Sequence, residues 1–200
     1  LLNAAYGFFI LPESLAPEKR RALEWRRANP LGSLRFLRAH REVFALAGAA
    51  FLSSLTHAVL PAVFVLYAAY RYGWDEKAVG LALAGVGISS ALVQGALVGP
   101  LVRRFGERRV MIGGLLAGTA GFMLYAFAPT GLWFVAAIPI VGLWGLAAPT
   151  SQGIMTRAVG ASAQGELQGA MGSLAGIATV IGPTLFATVF AWSIRHGASW

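Results

Sequence analysis

Four stretches of this chain carry no Asp, Glu, Lys or Arg: residues 43–70, 78–102, 110–156 and 167–194. A helix crosses the hydrocarbon layer of a bilayer with about 20 mostly apolar residues. Each stretch is long enough to cross. The third is long enough for two passes and is divided by Pro129-Thr130-Gly131, a turn signal. Five spans are predicted, over residues 44–69, 79–102, 110–128, 132–156 and 167–192. The expected fold class is all-α, a polytopic bundle of transmembrane helices, with the lipid bilayer as its surroundings. Composition agrees, with 57% hydrophobic and 12% charged residues against about 25% charged in an ordinary soluble domain.

The formal charge of +8 would suit a nucleic-acid binder, but its distribution does not. Charges gather in short clusters between the apolar runs, so no nucleic-acid partner is expected. Connections alternate between two sides, and thirteen of the sixteen Lys and Arg residues fall on one of them, in 14–42, 103–109 and 157–166. The positive-inside rule puts those segments in the cytoplasm. The expected location is the plasma membrane, the inner membrane of a bacterium, crossed several times. The chain contains no Cys, which excludes disulfide frameworks, thiolate chemistry and Cys-ligated zinc.

Residues 1–12 end in Phe8-Phe9-Ile10-Leu11-Pro12 and read as the tail of an earlier span, without the basic start and cleavage site of a signal peptide. Residues 13–43 read as a central cytoplasmic loop and 44–200 as the transmembrane bundle, so the chain reads as a segment of a longer protein. Within the loop, Glu18 to Arg27 reads as a short basic helix stopped by Asn29-Pro30. Leu31, Leu34, Phe36 and Leu37 then alternate with Arg35, Arg38 and Arg41, a pattern for a helix on the membrane surface. A solvated linker is the alternative.

Polar residues inside a span are the default pointers to function. His57 is the one ionisable side chain deep in a span, with Ser53 a turn before and Pro61 a turn after on one face. It is read as a proton carrier or substrate contact, since imidazole titrates near neutrality; a neutral His bonded to a neighbouring helix is the alternative. Gln94 shares a face with Ser90 and Gly87, and Gln152 with Ala148 and Gly145. Both read as cavity lining, with interhelical bonding as the alternative. Trp144 is mid-span and is read as facing substrate. The other aromatics near span ends, Tyr67, Tyr70, Trp74, Trp133, Trp192 and Trp200, read as an interfacial belt. Gly95/Gly99, Gly114/Gly118, Gly165/Gly169 and Gly172/Gly176 have the spacing for close helix approach. Pro61, Pro139, Pro149 and Pro183 lie within spans and are expected to bend them. No metal-ligand spacing, nucleophile elbow or phosphate loop is present, so no catalytic residue, metal or cofactor is expected.

Two motifs go further. Gly99-Pro100-Leu101-Val102-Arg103-Arg104-Phe105-Gly106-Glu107-Arg108-Arg109 lies between two spans. It resembles the conserved cytoplasmic loop of the major facilitator superfamily, G-x-x-x-(D/R)-(R/K)-x-G-x-(R/K)-(R/K). Here Gly99 would let a helix end pack closely, Gly106 would permit a tight reversal, and Arg103, Arg104, Arg108 and Arg109 would hold the turn in the cytoplasm. Gly176-Ile177-Ala178-Thr179-Val180-Ile181-Gly182-Pro183 is similar to the Gly-Pro motif of antiporter members. Asn29-Pro30-Leu31-Gly32-Ser33 with Arg35, Gln152 with Arg157, and Gly165-Glu166-Leu167-Gln168-Gly169 resemble the tetracycline/proton antiporter branch.

The resemblance implies the C-terminal half of such a transporter, from the end of span six through spans seven to eleven. It implies secondary active efflux of a small, tetracycline-like molecule by alternating access, coupled to protons, with the missing N-terminal half as partner and no enzyme activity. Drug exporters of the branch carry an acid in a stretch that here reads Ala117-Gly118-Thr119-Ala120-Gly121, and a His where Ser90 stands. The alternative is a non-transporting membrane scaffold or partner subunit.

Overall fold

The computed structural model describes Tyr6, Leu37 and residues 41–197. The expected end of an earlier span in 1–12, the basic and surface helices of the loop, and Trp200 lie outside the described residues, Tyr6 and Leu37 apart. Among the described residues every regular element is helical. Five helical segments are long and apolar enough to cross a membrane: Arg41–Tyr72, Glu76–Phe105, Glu107–Phe127, Gly131–Ala158 and Ala161–Arg195. Each matches one of the five predicted spans and runs a few residues past it at one end or both, the third stopping one residue short at Phe127, because helices continue into the charged flanks that hydropathy alone excludes.

Local chemistry sets the ends. The first segment consists of α1 (Arg41–His57) and α2 (Val59–Tyr72). Gly73, at φ 64°, stops α2 in the left-handed conformation that glycine adopts without strain. Asp75 then caps α3 (Glu76–Leu92), its carboxylate accepting the Ala78 amide at 2.8 Å. Such a cap stabilises a helix by about 1 kcal/mol. A π-helical turn, Val93–Leu97, joins α3 to α4 (Val98–Phe105). Gly106, at φ 78° and ψ 155°, reverses the chain into α5 (Glu107–Phe127). Its backbone lies in a region nearly closed to other residues. The Pro129-Thr130-Gly131 signal falls at the next reversal, before α6 (Gly131–Gly142). A tight 3₁₀ turn, Leu143–Leu146, leads into α7 (Ala147–Ala158). The long α8 (Gln164–Arg195) completes the described chain.

The bundle is held by close approach at glycines as well as by apolar packing. α5 packs on α6 and α7, α3 packs on α6, and α8 packs on α1 and α2. Gly114, Gly118 and Gly121 form one stripe of α5. A Cβ at Gly114 would lie 3.0 Å from the Ala147 amide, and one at Gly118 would lie 2.8 Å from Trp144 Cγ. The expected Gly114/Gly118 approach is therefore made, and Gly121 extends it. The other three spacings behave differently: Cβ atoms at Gly95, Gly165, Gly169, Gly172 and Gly176 would meet nothing within 4 Å among the described residues, and one at Gly99 only the tip of Arg103.

Two apolar clusters mark the ends. At the end opposite the arginines, Phe64, Ala68, Tyr125, Phe134 and Ile138 form a core joined by Tyr67 and Trp74. Tyr125 and Phe134 stack with centroids 3.9 Å apart. Tyr67 and Trp74 thus pack inward rather than forming a belt, whereas Trp133 and Trp192 are exposed. Arg71 donates to the Ala128 carbonyl at 3.0 Å, as does the Tyr72 hydroxyl at 3.1 Å, which ties α2 to the end of α5. At the basic end, Leu37 is buried with Val43, Ala47, Met155, Val159, Leu167 and Ala170. Leu37 is helical and packs its side chain among residues of α1, α7 and α8. Elsewhere the helices turn large apolar side chains outward, among them Leu116 at 65% and Val180 at 76% exposure. Water would not tolerate so many, and lipid does.

Candidate functional site

Three spans depart from α-helical geometry at the same level of the bundle. Pro61 has no amide to offer the His57 carbonyl, and the Ala58 amide turns to Leu55 O at 3.1 Å, so the first span breaks between α1 and α2. The second contains the π turn with Gln94, and the third such span the 3₁₀ turn with Trp144. Pro149 likewise removes the amide that would bond the Gly145 carbonyl. The two turns touch: Gln94 Cγ lies 3.8 Å from the Cβ position of Gly145. Pro139 and Pro183, by contrast, sit inside helices that stay continuous. Irregular turns of this kind are frequent at functional sites within helices.

They surround a cavity of about 560 Å³. All five residues expected to contact substrate line it: His57 from α1, Ser90 from α3, Gln94 from the π turn, Trp144 from the 3₁₀ turn and Gln152 from α7. Ser53, Ala148 and Gly145 line it beside them. Pro61 and Gly87 are absent from the wall; a break at Ala58 lies between His57 and Pro61, whereas Gly87 is in the same unbroken helix as Ser90. Thr156, one turn after Gln152, bonds back to Gln152 O at 2.7 Å.

Trp144 is the best-fixed of the group. Its ring stands 5.5 Å from that of His57 and 5.4 Å, edge on, from Phe122, while Gly118 leaves room for it on α5. On its other side is a second recess of about 480 Å³, lined by Leu52, Thr56, Thr119 and Met123. The Thr56 and Thr119 hydroxyls donate to carbonyls of their own helices, leaving that recess apolar in character. Gln152 is the opposite case: its amide nitrogen is buried without a hydrogen-bond partner among the described residues. An unpaired buried donor is costly, and this one lies behind the cavity wall that the residue helps to line.

Sequence reasoning missed part of the wall. Gln168 lines the cavity from α8, with Gly172 and Ala175 at spacings of four and seven, the same pattern that drew attention to Gln94. Met111, Met155 and Met171 add flexible apolar surface. Of the described lining residues, His57 is the one ionisable side chain; no carboxylate, Lys or Arg reaches the wall.

The basic turn lies apart from the cavity. Gly106 makes the reversal, and Arg103, Arg104, Arg108 and Arg109 are exposed. The turn is bound to the next span by an ion pair between Glu107, at the start of α5, and Arg157, in the last turn of α7. Gly153 leaves room for it, since a Cβ there would sit 2.8 Å from the Glu107 carboxylate. Glu107 was not singled out by the motif because it occupies a variable position. Of the second motif, Gly182 is buried against α1, Pro183 follows it within α8, and Gly176 is exposed.

Residues 2–197 match the family model of the Major Facilitator Superfamily. The chain belongs to that superfamily. Its relatives include the class C tetracycline resistance protein of Escherichia coli, 33% identical over 100% of this chain and 50% of that protein. The class G tetracycline resistance protein of Vibrio anguillarum is 34% identical over 84% of this chain and 44% of its own. A human protein, Hippocampus abundant transcript-like protein 1, is 26% identical over 95% and 38%. The chain thus spans about half the length of the curated relatives it matches. Superfamily members are transporters rather than enzymes, so this is a multi-pass protein of a bacterial-type inner membrane, and its likeness runs to the tetracycline-resistance branch.

Proposed function

We propose that this chain is the C-terminal half of a proton-coupled efflux transporter that moves a tetracycline-like small molecule by alternating access. The observation that carries the reading is one cavity on which the intramembrane polar residues of four spans converge. Transporters of this kind bind substrate near the bilayer midplane, between two helical bundles that rock around the site. In this reading Gln94, Ser90 and Gln152 hydrogen-bond the substrate, Trp144 stacks on it, and His57 carries a proton. The N-terminal half supplies the opposite wall. The end bearing Arg103–Arg109 faces the cytoplasm, and the turn there latches neighbouring spans as the bundles move.

A specific observation favours a second reading, a non-transporting membrane scaffold: no carboxylate lines the cavity among the described residues. One experiment separates the two. Full-length protein in inside-out membrane vesicles is given labelled tetracycline and a proton gradient. The transporter reading predicts gradient-dependent uptake that His57→Gln reduces severalfold. Absence of uptake for tetracycline and for a panel of other drugs would favour the scaffold.

A further inference from the structure

Gly182 in α8 and Ala58 at the break between α1 and α2 are in direct contact. A methyl group added at Gly182 would overlap the Ala58 Cβ, with the Leu55 carbonyl oxygen 3.7 Å away. Ala58 directly follows His57, whose ring faces Trp144 across 5.5 Å. The turn that carries His57 is weakly held by its own helix. The Ala58 amide bonds three residues back rather than four, and Pro61 offers no amide to the His57 carbonyl. Neighbouring elements must help seat it, and the one against Ala58 is α8. Gly182 differs in this from Gly165, Gly169, Gly172 and Gly176 of the same helix, whose added Cβ atoms would meet nothing within 4 Å among the described residues.

We infer that Gly182 is a positioning residue for His57: its missing side chain seats the broken turn so that the imidazole faces Trp144 and the cavity. The functional part of this inference rests on the transport reading above. The contact also gives the Gly-Pro motif a defined partner in the first span.

The test uses the full-length protein in vesicles, with drug transport as one measurement. The other is the rate at which a water-soluble maleimide labels a single cysteine introduced by His57→Cys. Gly182→Ala is expected to lower transport about tenfold or more, the effect of a methyl forced into a packed contact. It is also expected to change the labelling rate at position 57 severalfold. Ala58→Gly removes the atom that the new methyl meets, and is expected to restore both. Should Gly182→Ala fail to insert, Ala58→Ser adds an atom from the other side and is expected to shift the labelling rate likewise. An unchanged labelling rate in Gly182→Ala or in Ala58→Ser, or no recovery with Ala58→Gly, overturns the inference. If the unsubstituted protein moves no drug while labelling shifts and recovers as stated, the positioning stands and the transport reading falls.

Discussion

Gln152 holds its amide nitrogen in the cavity wall without a partner among the described residues. A buried donor left unpaired costs about 1–3 kcal/mol, so this nitrogen adds nothing to stability, while the residue itself lines the cavity. Gln152→Leu is therefore expected to leave the melting temperature of the full-length protein unchanged or raised while lowering transport. Thermal melting in detergent and vesicle uptake, measured together, check it; a fall in both would mark Gln152 as a packing residue instead. At this scale the sequence was informative for a physical reason. A polar side chain inside an uncharged span is rare enough to point at itself, and His57, Ser90, Gln94, Trp144 and Gln152 do meet at one cavity. Glu107 was not legible, because its meaning depends on Arg157, fifty positions along the chain, and on the space that Gly153 leaves. Leu37 was read by its neighbours as a surface residue, and its burial arises from helices far away in sequence.

Among the elements, the helices themselves followed from uncharged length, but their breaks did not. Pro61 and Pro149 accompany breaks, while Pro139 and Pro183 sit in continuous helices. Proline removes one bond wherever it stands; whether the helix parts there depends on what neighbours will accept the freed groups. Glycine spacing was likewise half-legible. The stripe at Gly114, Gly118 and Gly121 receives α6 and α7, whereas equal spacings in α8 face no described atom. Gly106 is the clearest element-scale test. At φ 78° and ψ 155° it adopts a conformation that costs other residues about 1–3 kcal/mol. Gly106→Ala is expected to lower the melting temperature by several degrees and to loosen the α4–α5 reversal, seen as faster proteolysis between Phe105 and Arg109. An unchanged melting temperature and cleavage pattern would show that the turn relaxes without strain.

Over the whole molecule, the chain spans about half the length of its tetracycline-resistance relatives. Its cavity is lined by residues of all five spans. Outward-facing Leu116 and Val180 need lipid or another helical surface. The most direct test of the account is substrate protection. Single cysteines are placed at Ser90, Gln94, Trp144 and Gln152, and at Leu116 as a lipid-facing control, in the full-length protein. Labelling by a water-soluble maleimide is measured with and without tetracycline. The account predicts that substrate slows labelling at the four cavity positions and that Leu116 labels poorly in both conditions. Equal labelling of the cavity positions with and without substrate, or rapid labelling at Leu116, would contradict it.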